Sequence, residues 1–131
     1  MPIYDPDLWP ALFLAIALMA LGCVFVFAPR LGAAVFGLPA PEGSSAAWVA
    51  VVGVRDLVFG SYVLVLASCS TRRAVGLVLG MTALIPLGDI LIVFAIQGFT
   101  SPGHLLLHLA SLCAMAIAAV WTLRHRPPSA G

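Results

Sequence analysis

Charged side chains are scarce in this sequence, and lysine is absent altogether. Only 8% of the residues are charged and 63% are hydrophobic, whereas a soluble domain carries about 25% charged residues. This leaves too little polar surface to cover a globule in water, which excludes a soluble protein. The net charge of +1, without any basic run, also gives no electrostatic basis for binding nucleic acid.

Cysteine motifs and cofactor signatures are missing as well. The three cysteines are widely spaced, form no CxxC pair and are best interpreted as small apolar residues. The sequence has no phosphate-binding loop, no nucleophile elbow, no dinucleotide-binding glycine pattern and no haem signature. We therefore expect neither a cofactor nor a metal.

What the sequence does contain is long apolar stretches. Four of them cover residues of about 10–28, 46–67, 74–96 and 105–123. Each is close to the roughly 20 residues with which an α-helix crosses about 30 Å of hydrocarbon, and backbone groups in lipid must bond within their own helix. The sequence predicts an all-α integral membrane four-helix bundle, forming a single domain over residues 1–131.

The arginines predict the orientation of this bundle. Arg72 and Arg73 lie in the second link and Arg124 and Arg126 in the tail, whereas Arg30 is alone in the first link. By the positive-inside rule both termini are expected in the cytoplasm. Arginine without lysine, in a chain rich in alanine and glycine, is typical of a GC-rich bacterial genome, so we expect the bacterial inner membrane.

The first link, residues 29–45, is rich in proline and glycine. It is predicted to hold a short interfacial turn with apolar side chains, Phe36 among them, that dip into lipid. In the third stretch, Pro86 is predicted to kink the helix and to free the carbonyl group of Thr82.

Glycines recur at helical spacing in two of the stretches. Gly53 and Gly60 lie seven residues apart in the second stretch, and Gly76 and Gly80 form a GxxxG pattern in the third. Small residues in this pattern allow membrane helices to approach closely. We expect them to pack helices, either within this chain or against another membrane protein.

Four ionisable residues lie inside the stretches at similar depth: Arg55, Asp56, Asp89 and His108. At a rise of 1.5 Å per residue, Arg55 lies about 14 Å, Asp89 about 10 Å and His108 about 6 Å from the outer boundary. Polar groups within a span face the bundle interior and pair there, so one buried cluster is expected. Because helical neighbours diverge by about 100°, Arg55 is expected to reach Asp89 or His108, not Asp56.

This cluster has three interpretations. It is either a structural ion pair that fixes helix packing or a functional pocket, since ionisable groups in membranes mark functional sites by default. The third is a metal site, because His104 and His108 lie four residues apart and Asp89 would supply a further ligand. The HxxxH motif alone is weak evidence for a metal.

The segments GVRDLVFG, IPLGDILIVF and HLLLHLA resemble a family of small bacterial and fungal four-span proteins whose domain has no known function. The resemblance runs from Pro29 to Arg124 and implies a four-helix fold with a shared polar core. Its matching positions are Arg55, Asp56, Gly60, Pro86, Asp89 and His108. In size, the chain also resembles the small membrane-bound isoprenoid cyclases of bacterial natural-product pathways, those of the indolosesquiterpene type. That likeness implies a cyclase activity.

Three functions follow as alternatives. The first is a cofactor-free enzyme that cyclises or isomerises a lipophilic, isoprenoid-like molecule. Asp89 or Asp56 would be the acid, because a carboxylic acid in an apolar site can keep its proton, and Arg55 or His108 would position it. Substrate would be bound by His104 and by aromatic faces that stabilise cations, namely Trp48, Phe59, Tyr62 and Phe94.

The second alternative is a small proton-coupled exporter that works as a dimer, although the first stretch lacks the acidic residue of such exporters. The third is a non-catalytic assembly partner that docks another membrane protein through its glycine faces. The expected partners are thus a lipophilic substrate and membrane lipid, without nucleic acid, and homo-oligomerisation is left open.

Overall fold

Helices account for nearly all of the chain. The computed structural model describes residues 5–100 and 102–124, and no β-strand occurs in these ranges. After a short 3₁₀ turn at Pro6–Leu8 the helices are α1 (Trp9–Phe27), α2 (Pro29–Val35), α3 (Ser44–Cys69), α4 (Arg72–Thr82), α5 (Leu84–Gln97) and α6 (Pro102–Arg124). The predicted all-α class is confirmed.

Four helical segments are long and apolar enough to cross a membrane. They are Pro6–Phe27, Ser44–Cys69, Arg72–Ile96 and Pro102–Arg124, so each predicted stretch corresponds to one span, within a few residues at either end. Many large apolar side chains point outward, such as Phe13 and Leu91. Such a surface is unfavourable in water and suits lipid, and the chain is a multi-pass membrane protein.

Two helix pairs form the bundle. Helix α1 packs along α3, and the broken helix α4–α5 packs along α6, while α1 and α6 touch only sparsely. A buried apolar core, which includes Leu8, Val63 and Leu79, joins the pairs at the end where the N-terminal segment lies. Towards the other end the pairs are less closely packed, and this is where the polar residues collect.

Glycine makes the close packing of α1 and α3 possible. A Cβ atom added at Gly53 would lie 2.7 Å from the carbonyl oxygen of Gly22, and one added at Gly22 would lie 2.6 Å from that of Gly53. Gly60 faces the backbone of Ala15, and Gly76 faces Leu123 of α6 in a similar way. The prediction that these glycines pack helices is confirmed, and the packing is within the chain.

The substitution Gly53→Leu is expected to destabilise the bundle by about 3 kcal/mol, the upper part of the range for overpacking, because rigid backbone lies opposite. Thermal unfolding in detergent measures the loss. The matched control is Gly88→Leu, since a Cβ at Gly88 meets nothing within 4 Å. Equal unfolding temperatures of the two variants would contradict the close α1–α3 contact.

The third span is interrupted as the sequence predicts. Helix α4 ends at Thr82 and α5 begins at Leu84, four and two residues before Pro86, which lies in the first turn of α5. A proline cannot donate to the carbonyl group four residues earlier, here that of Thr82. The buried Thr82 hydroxyl donates to the carbonyl oxygen of Val78 at 2.7 Å.

The link after α1 differs from its prediction. It contains a helix, α2, and the following Phe36 points into the bundle, where its ring packs against Phe25 at a centroid distance of 5.1 Å and against His108 at 4.7 Å. Leu31 is exposed, as a lipid-facing residue would be. The expectation that Phe36 dips into lipid was wrong, because a buried aromatic ring on each side, Phe25 and His108, offers it better packing.

Ion pairs hold the N-terminal segment at the α3–α4 turn. Nη2 of Arg72 lies 2.7 Å from Oδ2 of Asp7, and Nη1 lies 3.7 Å from Oδ2 of Asp5. Asp5 also caps the 3₁₀ turn by accepting from the Asp7 amide. The N-terminal segment and the α3–α4 turn therefore lie at the same end of the bundle.

Candidate functional site

A cavity of about 350 Å³ lies between the two helix pairs. All six helices contribute lining side chains, α2 through its last residue, Val35, and the following Phe36 also lines the cavity. Most of the wall is aliphatic. The cavity also collects the four ionisable residues expected to cluster: Arg55, Asp56, Asp89 and His108. A pocket that is largely apolar with a few convergent polar groups is the usual form of a small-molecule site.

Arg55 and Asp56 form an ion pair on α3. Nε and Nη2 of Arg55 both donate to Oδ1 of Asp56, at 3.1 Å each. The Asp56 side chain is only 4% exposed, whereas that of Arg55 is 46% exposed. The prediction that these neighbours do not pair was wrong. It considered only the directions of the two Cβ atoms, and the long arginine side chain folds back across its own helix to reach the carboxylate.

Asp89 on α5 has no such partner. Its carboxylate interacts electrostatically with His108 first and with Arg55 second, but it makes no hydrogen bond or ion pair with any residue in the described ranges. The predicted Arg55–Asp89 contact is not formed, because Arg55 directs its donors to Asp56. Asp89 is therefore the carboxyl group of the cavity that is left available to a ligand.

The orientation of His108 follows from its surroundings. The residue is 4% exposed, and its ring packs edge to face with that of Phe36, with the centroids 4.7 Å apart. Within the described part of the chain Nε2 of His108 is buried without a hydrogen-bond partner. In the neutral tautomer that carries its proton on Nδ1, Nε2 is basic and can take a proton.

His104 lies outside the cavity. Its Nε2 is 3.2 Å from the carbonyl oxygen of Ala34 at the end of α2, and its ring lies against Gly37. That glycine has a φ of 71°, and a Cβ there would lie 2.5 Å from the His104 ring. His104 thus fixes the end of α2 to α6, instead of facing the cavity as a substrate-binding residue.

The aromatic residues expected to bind substrate are not brought to the cavity. Trp48 is 72% exposed, Phe59 and Tyr62 lie together along a separate surface groove, and Phe94 packs on Phe99 at 5.0 Å. The aromatic wall is supplied by Phe36, which the sequence analysis missed. Phe36 lies in an irregular segment without helical periodicity, so no pattern in the sequence could have placed it.

The metal alternative lacks a ligand set. Among the residues that the structure describes, no three histidine, cysteine, aspartate or glutamate side chains come together to hold an ion. His104 contacts the end of α2 and His108 faces the cavity, so the HxxxH pair does not act as one unit.

The cavity opens sideways between α1 and α6. Ala17 on α1 and Ala110, Ser111 and Ala114 on α6 line it and are also exposed on the outer face of the bundle. These side chains are small, and α1 and α6 make few contacts with each other. Because the surface around it is apolar, the opening lies where lipid would surround the protein.

The fold and the site define a class: a small multi-pass helical membrane protein with a lipophilic cavity and a polar cluster at its centre. Within this class, the chain belongs to the family described as Domain of unknown function (DUF4267), whose family model matches residues 15–122. This agrees with the family resemblance read from the sequence. No curated protein and no solved structure gives a significant match.

Proposed function

We propose that this protein is a membrane-embedded enzyme that cyclises or isomerises a lipophilic, isoprenoid-like molecule by acid catalysis, without a cofactor. The observation that carries the proposal is the pairing of a free carboxyl group, Asp89, with an unpartnered histidine nitrogen, Nε2 of His108, inside an apolar cavity. One group is suited to give a proton and the other to take one.

The reaction needs no external reactant because substrate and product are isomers. The Asp89 carboxyl group donates its proton to an alkene carbon or an epoxide oxygen of the substrate, which leaves a carbocation. A second double bond supplies the electron pair for a new carbon–carbon bond, or the cation rearranges. Nε2 of His108 then removes a proton from the neighbouring carbon, and transfer of that proton back to Asp89 restores the starting state.

Arg55 and Asp56 support this chemistry without exchanging protons with the substrate. Their ion pair holds the Arg55 guanidinium in place beside the cavity. The Asp56 carboxylate largely neutralises the positive charge of that guanidinium. The Phe36 ring, held edge-on to His108, offers the aromatic face that can stabilise a developing cation. Asp56, the second acid candidate from the sequence, is thereby assigned to positioning.

Substrate is expected to enter from the bilayer. The seam of small residues between α1 and α6 connects the cavity to the lipid-facing surface, so a lipophilic molecule would reach Asp89 without crossing water. This fits a substrate that partitions into membranes.

Ligand extraction from purified protein tests the proposal. Protein purified in mild detergent is extracted with organic solvent, and the extract is compared with that of a variant whose cavity is filled, Ala114→Phe. We expect an isoprenoid-like lipid that is enriched with the unaltered protein and absent from the variant. A stoichiometric protein partner in place of any such lipid would favour the assembly function.

The alternatives rest on fewer observations. The glycines on which an assembly face was based, such as Gly53 and Gly76, are occupied by packing within the chain. For the exporter, α1 carries no acidic residue inside its span. Both stay as outcomes of the extraction experiment and of transport assays.

We propose the bacterial inner membrane as the location, with both termini in the cytoplasm, from the arginine distribution. Single-cysteine labelling of intact spheroplasts measures it. Native Cys69, at the end of α3 and exposed, is retained in one variant without Cys23 and Cys113, and Glu42→Cys is placed in a cysteine-free background. A membrane-impermeant maleimide is expected to label position 42 and not Cys69, and the reverse pattern would contradict the orientation.

A further inference from the structure

A second cavity of about 250 Å³ lies on the other side of Phe36. It is bounded by α2, α3 and α5, with apolar residues such as Val49 and Val52 in its wall. Three residues line both cavities: Phe36, Arg55 and Asp89. The Phe36 ring stands between them, because it packs on Phe25 in the second cavity and on His108 in the first. The two spaces therefore meet at the polar cluster.

Arg55 has donors to spare at this junction. A guanidinium carries five N–H donors, of which two are directed at Asp56. The others have no acceptor among the residues that the structure describes, although Arg55 faces both cavities. A cationic donor in an apolar space is satisfied by an oxygen acceptor, and the junction is where a ligand oxygen would meet it.

We infer that the two cavities are the two arms of one binding site, which takes a single elongated, oxygen-bearing lipophilic molecule with its oxygen at Arg55. The first cavity has about 350 Å³ and the second about 250 Å³, so the two arms together offer clearly more room and a longer path than the first alone. This inference rests on the proposed function, because it names the substrate class of that enzyme. Binding of the ligand can nevertheless be measured without any turnover.

Ligand length in combination with a filled arm provides the test. Binding of geraniol, a ten-carbon alcohol, and geranylgeraniol, a twenty-carbon alcohol, is measured with purified protein in nanodiscs. Geraniol is short enough to occupy one arm, whereas extended geranylgeraniol is expected to reach from the first arm into the second. The variant Val52→Phe fills the second arm, and Val58→Phe on the same helix is the matched control, since Val58 is 64% exposed on the lipid-facing surface.

We expect Val52→Phe to weaken geranylgeraniol binding by about tenfold or more, because each buried methylene group contributes roughly a factor of four in affinity. Geraniol binding is expected to change less than about twofold on the same scale, and Val58→Phe should leave both affinities unchanged. Val49→Phe fills the same arm from one turn away and serves if Val52→Phe does not fold.

An equal effect of these variants on both alcohols, or no effect on either, would overturn the two-arm site, as would a failure of both alcohols to bind. The proposed function is tested separately. Length-selective binding without isomerised product would support the two-arm site and contradict the proposed enzyme activity. Turnover without length selectivity would support the enzyme activity and contradict the two-arm site.

Discussion

Replacement of Asp89 by asparagine is expected to lower turnover by a factor of about 10² or more while the protein still folds and inserts. Asparagine keeps the shape of the side chain and removes its acidic proton. Asp89 makes no ion pair in the described ranges, so this change leaves no cation without its partner. Product formation from an isoprenoid substrate in proteoliposomes measures the effect, and thermal unfolding in detergent measures the fold.

The conservative variant Asp89→Glu provides the control for this result. It restores an acidic proton at a slightly different position and is expected to recover part of the turnover. Full activity of well-folded Asp89→Asn would refute the assignment of Asp89 as the acid. Loss of folding would instead mean that Asp89 has a structural role in the bundle.

Replacement of Asp56 by alanine, in contrast to that of Asp89 by asparagine, is expected to affect folding. It should destabilise the bundle by about 3 kcal/mol. Removal of one partner of a buried ion pair costs about 3–5 kcal/mol, because the other charge is left uncompensated. The lower end applies, since the Arg55 side chain is 46% exposed. Unfolding in detergent, followed by tryptophan fluorescence, gives the free-energy difference.

A double substitution separates the ion pair from other effects at the same positions. In Arg55→Met/Asp56→Leu both charges are absent, and replacement of a buried pair by apolar residues is often neutral. This variant is expected to be more stable than Asp56→Ala alone, with a coupling between the two positions. If the stability losses of the two single substitutions simply added up in the double variant, a direct Arg55–Asp56 interaction would not be the source of the stability.

The spans and the polar cluster could be predicted from the sequence because their causes are local. The length of each apolar stretch specifies a membrane-spanning helix, and Pro86 specifies the break after Thr82. Depth along the helices brought Arg55, Asp89 and His108 to one level, since an ionisable side chain in a span must turn inward. The gathering of these residues around one cavity agrees with that reasoning.

Apolar residues offered no comparable signal. In a soluble helix the polar face marks the outside, but here both the bundle interior and the lipid accept apolar side chains. Trp48, Phe59, Tyr62 and Phe94 could therefore not be assigned to a face, and they lie away from the cavity. Phe36 could not be identified as its aromatic wall for the same reason.

Details of side-chain conformation were also beyond the sequence. The Arg55–Asp56 pair depends on the path of a long, flexible side chain, which the spacing of Cβ atoms does not determine. Asp89 is left available because, among the described residues, Arg55 directs its hydrogen bonds to Asp56. The division of roles between the two aspartates thus required the structure.

The most direct test of the central claim, that Asp89 gives a proton to the substrate, is the reaction in D₂O. With an alkene substrate, the deuteron of exchanged Asp89 ends in a carbon–deuterium bond that does not exchange, so acid-catalysed cyclisation is expected to place one deuterium in each product molecule, as measured by mass spectrometry. Asp89→Asn is expected to form no labelled product. Product without deuterium from the unaltered protein, or equal labelling by Asp89→Asn, would contradict the account.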